Sequence, residues 1–205
     1  MDIPGLPARK AALKLIDAVL RRGETLDQAA HGALQGLRSG PDKALAKALA
    51  GEVLRWLIDL DALIDSATRL PLADDAKPRA VLRLMLAGWL RLDTPPHAVI
   101  ATGLELLSGG PRRLAHGVFS TLVKRPASLP AQPSLPERVT QRWGARAAAI
   151  AKGLGDLPPL DLTLRDPAET TNWAARLGGV SLLSGHLRLE RGTAVENLEG
   201  YDAGT

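Results

Sequence analysis

Apolar residues in the first 125 positions recur at the three- and four-residue spacing of amphipathic helices, broken by short polar stretches. The spacing predicts a first helix over residues 8–22, closed near Gly23. Thr25 and Gln28 form a capping box for a second, running to about Leu37. Ser39-Gly40-Pro41-Asp42 opens a longer third stretch to about Leu70, expected to bend near Asp59–Asp61. Lys77-Pro78 opens a fourth, ending near Leu92. Its Leu82, Met85, Leu86 and Trp89 share one face, which Leu84 and Leu90 widen, so a central helix is expected there. Thr94-Pro95 predicts an N-cap followed by Pro at the first position of a fifth helix, stopped by Gly109-Gly110. Pro111 opens a sixth, to about Arg125. Connections this short predict a compact helical bundle.

The pattern then changes. Residues 126–136 hold four Pro and no charge, which reads as a linker or an irregular connection. Ser134 and Glu137 predict another capping box, for a helix to about Lys152. Leu160-Asp161-Leu162-Thr163-Leu164-Arg165 alternates as a half-buried strand does, and so does His186-Leu187-Arg188-Leu189-Glu190. Between them Asp166-Pro167-Ala168-Glu169 supplies cap, Pro and acid for a helix that ends at Gly178-Gly179. The fold class expected is mainly α: an all-helical bundle over residues 1–127, followed by a small α+β segment over 128–205.

Composition narrows the chemistry. Aromatic residues make up 3% of the 205 positions, so the core must come from Ala, Leu and Val, which suits close-packed helices. All four Trp are expected to pack, although Trp143 beside Arg142, and Trp173, are of a kind that could stack on bases. The absence of Cys excludes a disulfide, a thiolate metal site and a Cys nucleophile in this chain. The longest uncharged runs span 11 residues, where a membrane helix needs about 20. Met1-Asp2-Ile3-Pro4-Gly5 has no basic start before an apolar stretch, so no signal peptide and a cytoplasmic location are expected.

No phosphate loop or nucleophile elbow occurs, and His31, His97, His116 and His186 lack metal-ligand spacing, so neither catalytic nor metal residues are expected. Asp59, Asp61 and Asp65 read as solvated helix faces or caps. The net charge is +4, concentrated as +5 in residues 1–125 against −1 in 126–205. On the first helix Lys10, Lys14 and Arg21 lie in one narrow arc, opposite Leu13, Leu15, Ile16, Val19 and Leu20. On the sixth, Arg113, Ser120 and Lys124, with His116 beside them, face away from Val118, Phe119 and Leu122. Two such faces brought together would make a phosphate-binding surface; the plain alternative is ordinary solvated helix surface.

Several stretches carry a family resemblance. Pro7-Ala8-Arg9-Lys10-Ala11-Ala12-Leu13-Lys14, Leu54-Arg55, His97-Ala98-Val99 and Gly117-Val118-Phe119-Ser120-Thr121-Leu122-Val123-Lys124-Arg125 resemble the NusB-type helical RNA-binding module, with Ser120 where Asn is common. Leu135-Pro136, Arg142-Trp143-Gly144, Pro158 to Arg165 and Thr193 to Tyr201 resemble the region that joins such a module to the catalytic domain of RsmB-type ribosomal RNA methyltransferases, with Asp166 in place of the usual Asn. The resemblance implies an RNA-binding and substrate-positioning region of an enzyme that methylates carbon 5 of a cytosine in small-subunit (16S) ribosomal RNA. RNA contacts are expected from Arg9, Lys10, Lys14, Arg21, Arg113, Lys124 and Arg125, the basic residues of the first and sixth helices. S-adenosylmethionine and a Cys nucleophile would belong to a doubly wound catalytic domain expected as a covalent partner beyond this chain, which alone is expected to be inactive and cofactor-free. Two other readings stand beside it: a stand-alone NusB-type factor in transcription antitermination or ribosome assembly, and a helical protein-interaction domain.

Overall fold

The computed structural model describes residues 3–201. The reading made on Met1-Asp2 lies outside the described residues, as do residues 202–205. The chain forms two compact units, Met1–Ala151 and Lys152–Thr205. The division falls further along than the Pro-rich break at 126–136.

In the first unit α1 (Leu6–Arg22) buries Ala8, Ala11, Ala12, Leu15 and Ile16, one stripe at helical spacing. It stops at Gly23, whose φ of 70° places it in the left-handed region and lets its N–H close on Ala18 O. The predicted capping box opens α2 (Leu26–Leu34): Gln28 N–H donates to Thr25 Oγ1 at 3.3 Å and Thr25 N–H to Gln28 Oε1 at 3.0 Å. The long third stretch breaks at Trp56, not at Asp59–Asp61, giving α3 (Gly40–Arg55) and α4 (Leu57–Ser66). The Trp56 ring is buried at 2% exposure, and its backbone, at φ −107° and ψ 20°, leaves helical geometry between the two helices.

α5 (Lys77–Arg91) is the central helix, buried at Val81, Leu82, Leu84, Met85, Leu86 and Ala87. α6 (Pro96–Gly103) starts later than Thr94 would cap it: Pro95 holds the cap position, and Thr94 N–H instead donates to Gly88 O at 2.9 Å. After a 3₁₀ turn over Leu104–Leu106, Gly109-Gly110 opens α7 (Gly109–Val123) instead of closing the helix before it. Gly109 has a φ of 57°, so it serves as the bend into the new helix.

Asp61 and Asp65, expected as solvated, face two inward arginines. Arg83 grips Asp61 with both prongs, Nε to Oδ1 at 2.7 Å and Nη2 to Oδ2 at 2.8 Å. Arg79 reaches Asp61 at 2.9 Å and Asp65 at 2.5 Å, and its Nε donates to Leu72 O at 3.0 Å. Burial pushes the Arg79 guanidinium down, but the bond and charge of Asp61, then of Asp65, outweigh it and leave the group above its ordinary value. Asp59 takes both the N–H of Ser134 at 2.9 Å and its hydroxyl at 2.6 Å. Ser134 therefore caps no helix: it ties the Pro-rich segment to α4. The next helix, α8 (Glu137–Trp143), has Pro136 at its cap. Gly144, with φ 51° and ψ −127°, then ends it, so a 3₁₀ turn and α9 (Ala147–Leu154) replace the single helix expected to Lys152.

In the second unit β1 (Leu160–Thr163) and β2 (His186–Leu189) pair antiparallel, with Leu160 opposite Leu189 and Asp161 opposite Arg188. The strands are shorter than the alternation suggested. Leu160, Leu162, Leu187 and Leu189 share the inner face, while Asp161, Thr163, His186 and Arg188 share the other. Val180 adds a bridge on the far side of β2 through bonds of 2.9 and 2.8 Å with Arg188. Asp166 caps a 3₁₀ turn that leads into α10 (Thr170–Leu177), which ends at Gly178 as expected.

Candidate nucleic-acid interface

The cations of α1 divide into bound and free. Arg9 is half-buried; its Nη1 donates to Gly5 O at 3.1 Å, and burial lowers its pKa. Lys10 and Lys14 are exposed and form no ion pair among the described residues. Arg21 pairs with Asp17 at 3.2 Å, one turn back. Arg22 pairs with Glu24 at 2.6 Å and Asp17 at 3.1 Å, and the Glu24 bond raises its pKa. The C-terminal end of α1 is thus largely neutralised by its own carboxylates. Arg9, half-buried, and the exposed Lys10 and Lys14 carry the remaining charge.

Lys14, Arg21, Arg22 and Lys77 rim a groove of about 560 Å³ over a floor of Leu13, Ala29, Ala33 and Ala80. Asp17, Glu24 and Asp75 share that rim, so its field is mixed. Arg113, exposed on α7, belongs to a second groove of about 460 Å³ with Arg69, Thr68 and Thr121 over Leu72 and Val118. This one has no carboxylate in its lining. Lys124 and Arg125 lie at the C-terminal end of α7, where their charge also suits the helix dipole. Arg125 Nη1 donates to Ser66 O at 3.5 Å. α5 packs against both α1 and α7. Neither groove draws cations from both helices. The structure therefore joins Lys14 to Arg21 and leaves Arg9, Lys10, Lys124 and Arg125 outside both grooves.

Lys77 and Arg69 were not singled out from the sequence, because each lies off the periodic helix faces that carried the reading. The inward turn of Arg79 and Arg83 had a signal: a basic pair four residues apart on one helix, and the acidic pair Asp61 and Asp65, also four apart, on its neighbour. Of the Trp residues, Trp56 and Trp89 pack as expected, Trp89 edge-on to Phe119 at 5.7 Å between centroids. Trp173 is half-buried with the Arg176 guanidinium 4.4 Å over its ring. Trp143 departs from expectation: it is 46% exposed.

Among the described residues no helix is long and apolar enough to cross a membrane, and no group of three or more His, Asp or Glu could hold a metal ion. The NusB family model matches residues 6–110. The ribosomal RNA small subunit methyltransferase B of Xanthomonas campestris pv. campestris is 27% identical over 221 residues, covering 98% of this chain and 50% of its own length. The chain thus spans about half the length of the curated relatives it matches. Among solved structures, T. maritima NusB covers 63% of this chain and 96% of its own, with 22% identity and a TM-score of 0.54. A chain of the crystal structure of the antitermination factors NusB and NusE in complex with double-stranded RNA covers 58% of this chain and 95% of its own, with 20% identity and a TM-score of 0.52.

Proposed function

Since the chain belongs to the NusB family, we propose that its bundle binds RNA, and that the chain is the RNA-recognition and positioning region of a methyltransferase acting on small-subunit ribosomal RNA. One observation carries the reading: the likeness to a ribosomal RNA methyltransferase runs over 98% of this chain, through the second unit as well as the bundle. The free charges of Lys10 and Lys14 support it, because phosphate contacts need cations not already matched by carboxylates. Arg113, Lys124 and Arg125, which no carboxylate matches among the described residues, add further phosphate contacts along α7, whereas Arg21 is held by Asp17 and Arg9, held by Gly5 O, fixes the start of α1.

Methyl transfer to carbon 5 of cytosine needs a thiolate that adds at carbon 6 and makes carbon 5 nucleophilic. This chain has no Cys. S-adenosylmethionine would be held by a doubly wound parallel sheet, whereas the described sheet is two short antiparallel strands, so the residues present do not fit that cofactor. The chain's part is to bind and orient RNA, and alone it transfers no methyl group.

The test is binding of small-subunit ribosomal RNA over a series of salt concentrations. Binding should weaken steeply with salt. The double variant Lys10→Glu, Lys14→Glu should bind less tightly across all sequences tried. Its log–log salt slope should be shallower by about 1.5, the equivalent of two phosphate contacts. An unchanged slope in a folded double variant would make this face plain solvated surface. Incubation with labelled S-adenosylmethionine and the same RNA should leave the RNA unlabelled; turnover by the pure chain would overturn that part.

A further inference from the structure

Residues 138–155 contain Arg138, Arg142, Arg146 and Lys152 and no Asp or Glu. The three arginines are exposed. None of them forms an ion pair or a side-chain hydrogen bond among the described residues. They differ in this from Arg21, Arg22, Arg55, Arg79, Arg83 and Arg112, each matched by a carboxylate. Even the nearest acid, Glu137, is taken by Gln141 at 2.9 Å.

Arg138 and Arg142 stand one turn apart on α8, about 6 Å along its axis, and so share a face. Gly144 breaks the helix, and Arg146 follows in the turn beyond it. Trp143 lies between Arg142 and that break, 46% exposed, with no guanidinium over its ring such as Trp56 and Trp173 have. At 3.6 residues per turn Trp143 stands about 100° round α8 from Arg142 and about 140° from Arg138, so a solvent-open indole and unmatched guanidiniums occupy adjoining faces of one short helix.

We propose that Trp143 with Arg138, Arg142 and Arg146 is a stacking platform for single-stranded RNA. The ring takes the face of one base and the guanidiniums take the phosphates on either side. Single strands fit because their bases expose π-faces, whereas a duplex keeps those faces stacked inside. The charge pattern argues for a polyanion, since three guanidiniums stand against one carboxylate, Glu137, at the start of α8. The proposal rests on RNA being the ligand of this chain and adds a second contact to the one on α1.

The experiment uses the whole chain, a labelled single-stranded RNA, and both RNA anisotropy and intrinsic Trp emission. Single-stranded RNA should quench part of the wild-type emission. Trp143→Phe should abolish that part of the quench yet keep most of the affinity, because a phenyl ring still stacks. Trp143→Ala should weaken binding roughly tenfold, in the range seen when a base loses its aromatic partner. Arg142→Glu with Arg146→Glu should weaken it further and flatten the salt slope. A Trp143→Ala variant that binds as wild type, while Lys10→Glu, Lys14→Glu does not, would overturn this platform and leave RNA binding by the bundle standing. Equal competition by duplex RNA would overturn the stacking, and displacement by polyglutamate as effective as by RNA would assign the surface to an acidic protein. If the wild type binds no RNA at any salt, this inference falls together with the proposed function.

Discussion

Arg79 and Arg83, at 2% and 4% side-chain exposure, turn their charges into the bundle, where they hold α4, α5 and the loop between them. A buried guanidinium tolerates its position only while a carboxylate faces it. Asp61→Ala strips Arg83 of its bidentate partner and Arg79 of one of two. It should cost about 3 kcal/mol in urea unfolding, with the midpoint lowered and the m-value unchanged. The outer face of the sheet behaves differently. Hydrogen bonds from Arg188, then from His186, hold the exposed Asp161 carboxyl down at about 2, against an ordinary 3.8. A carboxyl depressed by folding favours the folded state at pH above its unfolded value and loses that contribution as pH falls through the folded one. Carboxyl NMR should therefore find the Asp161 midpoint near 2, and the cross-strand pair should weaken between about pH 4 and 2 while the Asp161→Asn variant shows no such step.

Elements were legible where the signal is local. The Thr25–Gln28 box, the stop at Gly23 and the alternation of Leu160, Leu162, Leu187 and Leu189 depend on neighbours in sequence or on a period, and each was found in place. Distant partners defeated the same logic. Ser134 and Glu137 have the spacing of a capping box, but Asp59, 75 residues away, offers Ser134 a charged acceptor and wins both its donors. The apolar pattern runs unbroken through Trp56, so no local signal marks the break there. In the candidate site the residue types on α1 and α7 were readable, but their separation into two grooves was not, because it depends on how α5 packs against both. Gly179 is another position set by a distant strand. A Cβ there would meet Arg188 O at 2.8 Å and Leu187 Cδ1 at 2.6 Å. Gly179→Ala should therefore displace Val180 from its bridge, destabilise the second unit by roughly 1–3 kcal/mol, and expose the Val180 amide to exchange.

Across the whole molecule, the two units differ in how they are held. The first has a continuous core of Ala, Leu, Ile, Val, Trp56 and Phe119. Among its described residues the second rests on the β1–β2 pair, the Val180 bridge and the short α10, and leaves Val180, Leu182 and Leu183 at least 60% exposed. Few strands and little buried apolar area give low local stability. Amide exchange in Leu160–Thr163 and His186–Leu189 should accordingly outpace that in Val81–Ala87 by orders of magnitude. Equal protection would mean that the second unit is as firmly held as the bundle.

The cluster of Asp61, Asp65, Arg79 and Arg83 also limits how this sequence can drift over generations. Losing the acids first leaves two guanidiniums buried without counterions, and losing the arginines first leaves the carboxylates without theirs. The first half-step costs about 3–5 kcal/mol, a large part of the ~5–15 kcal/mol that keeps a domain folded. The second costs less, because water still reaches Asp61 and Asp65, at 22% and 37% side-chain exposure. Descendants of this sequence should therefore keep the acids for as long as they keep the arginines, so residues on two separate helices are inherited as one trait.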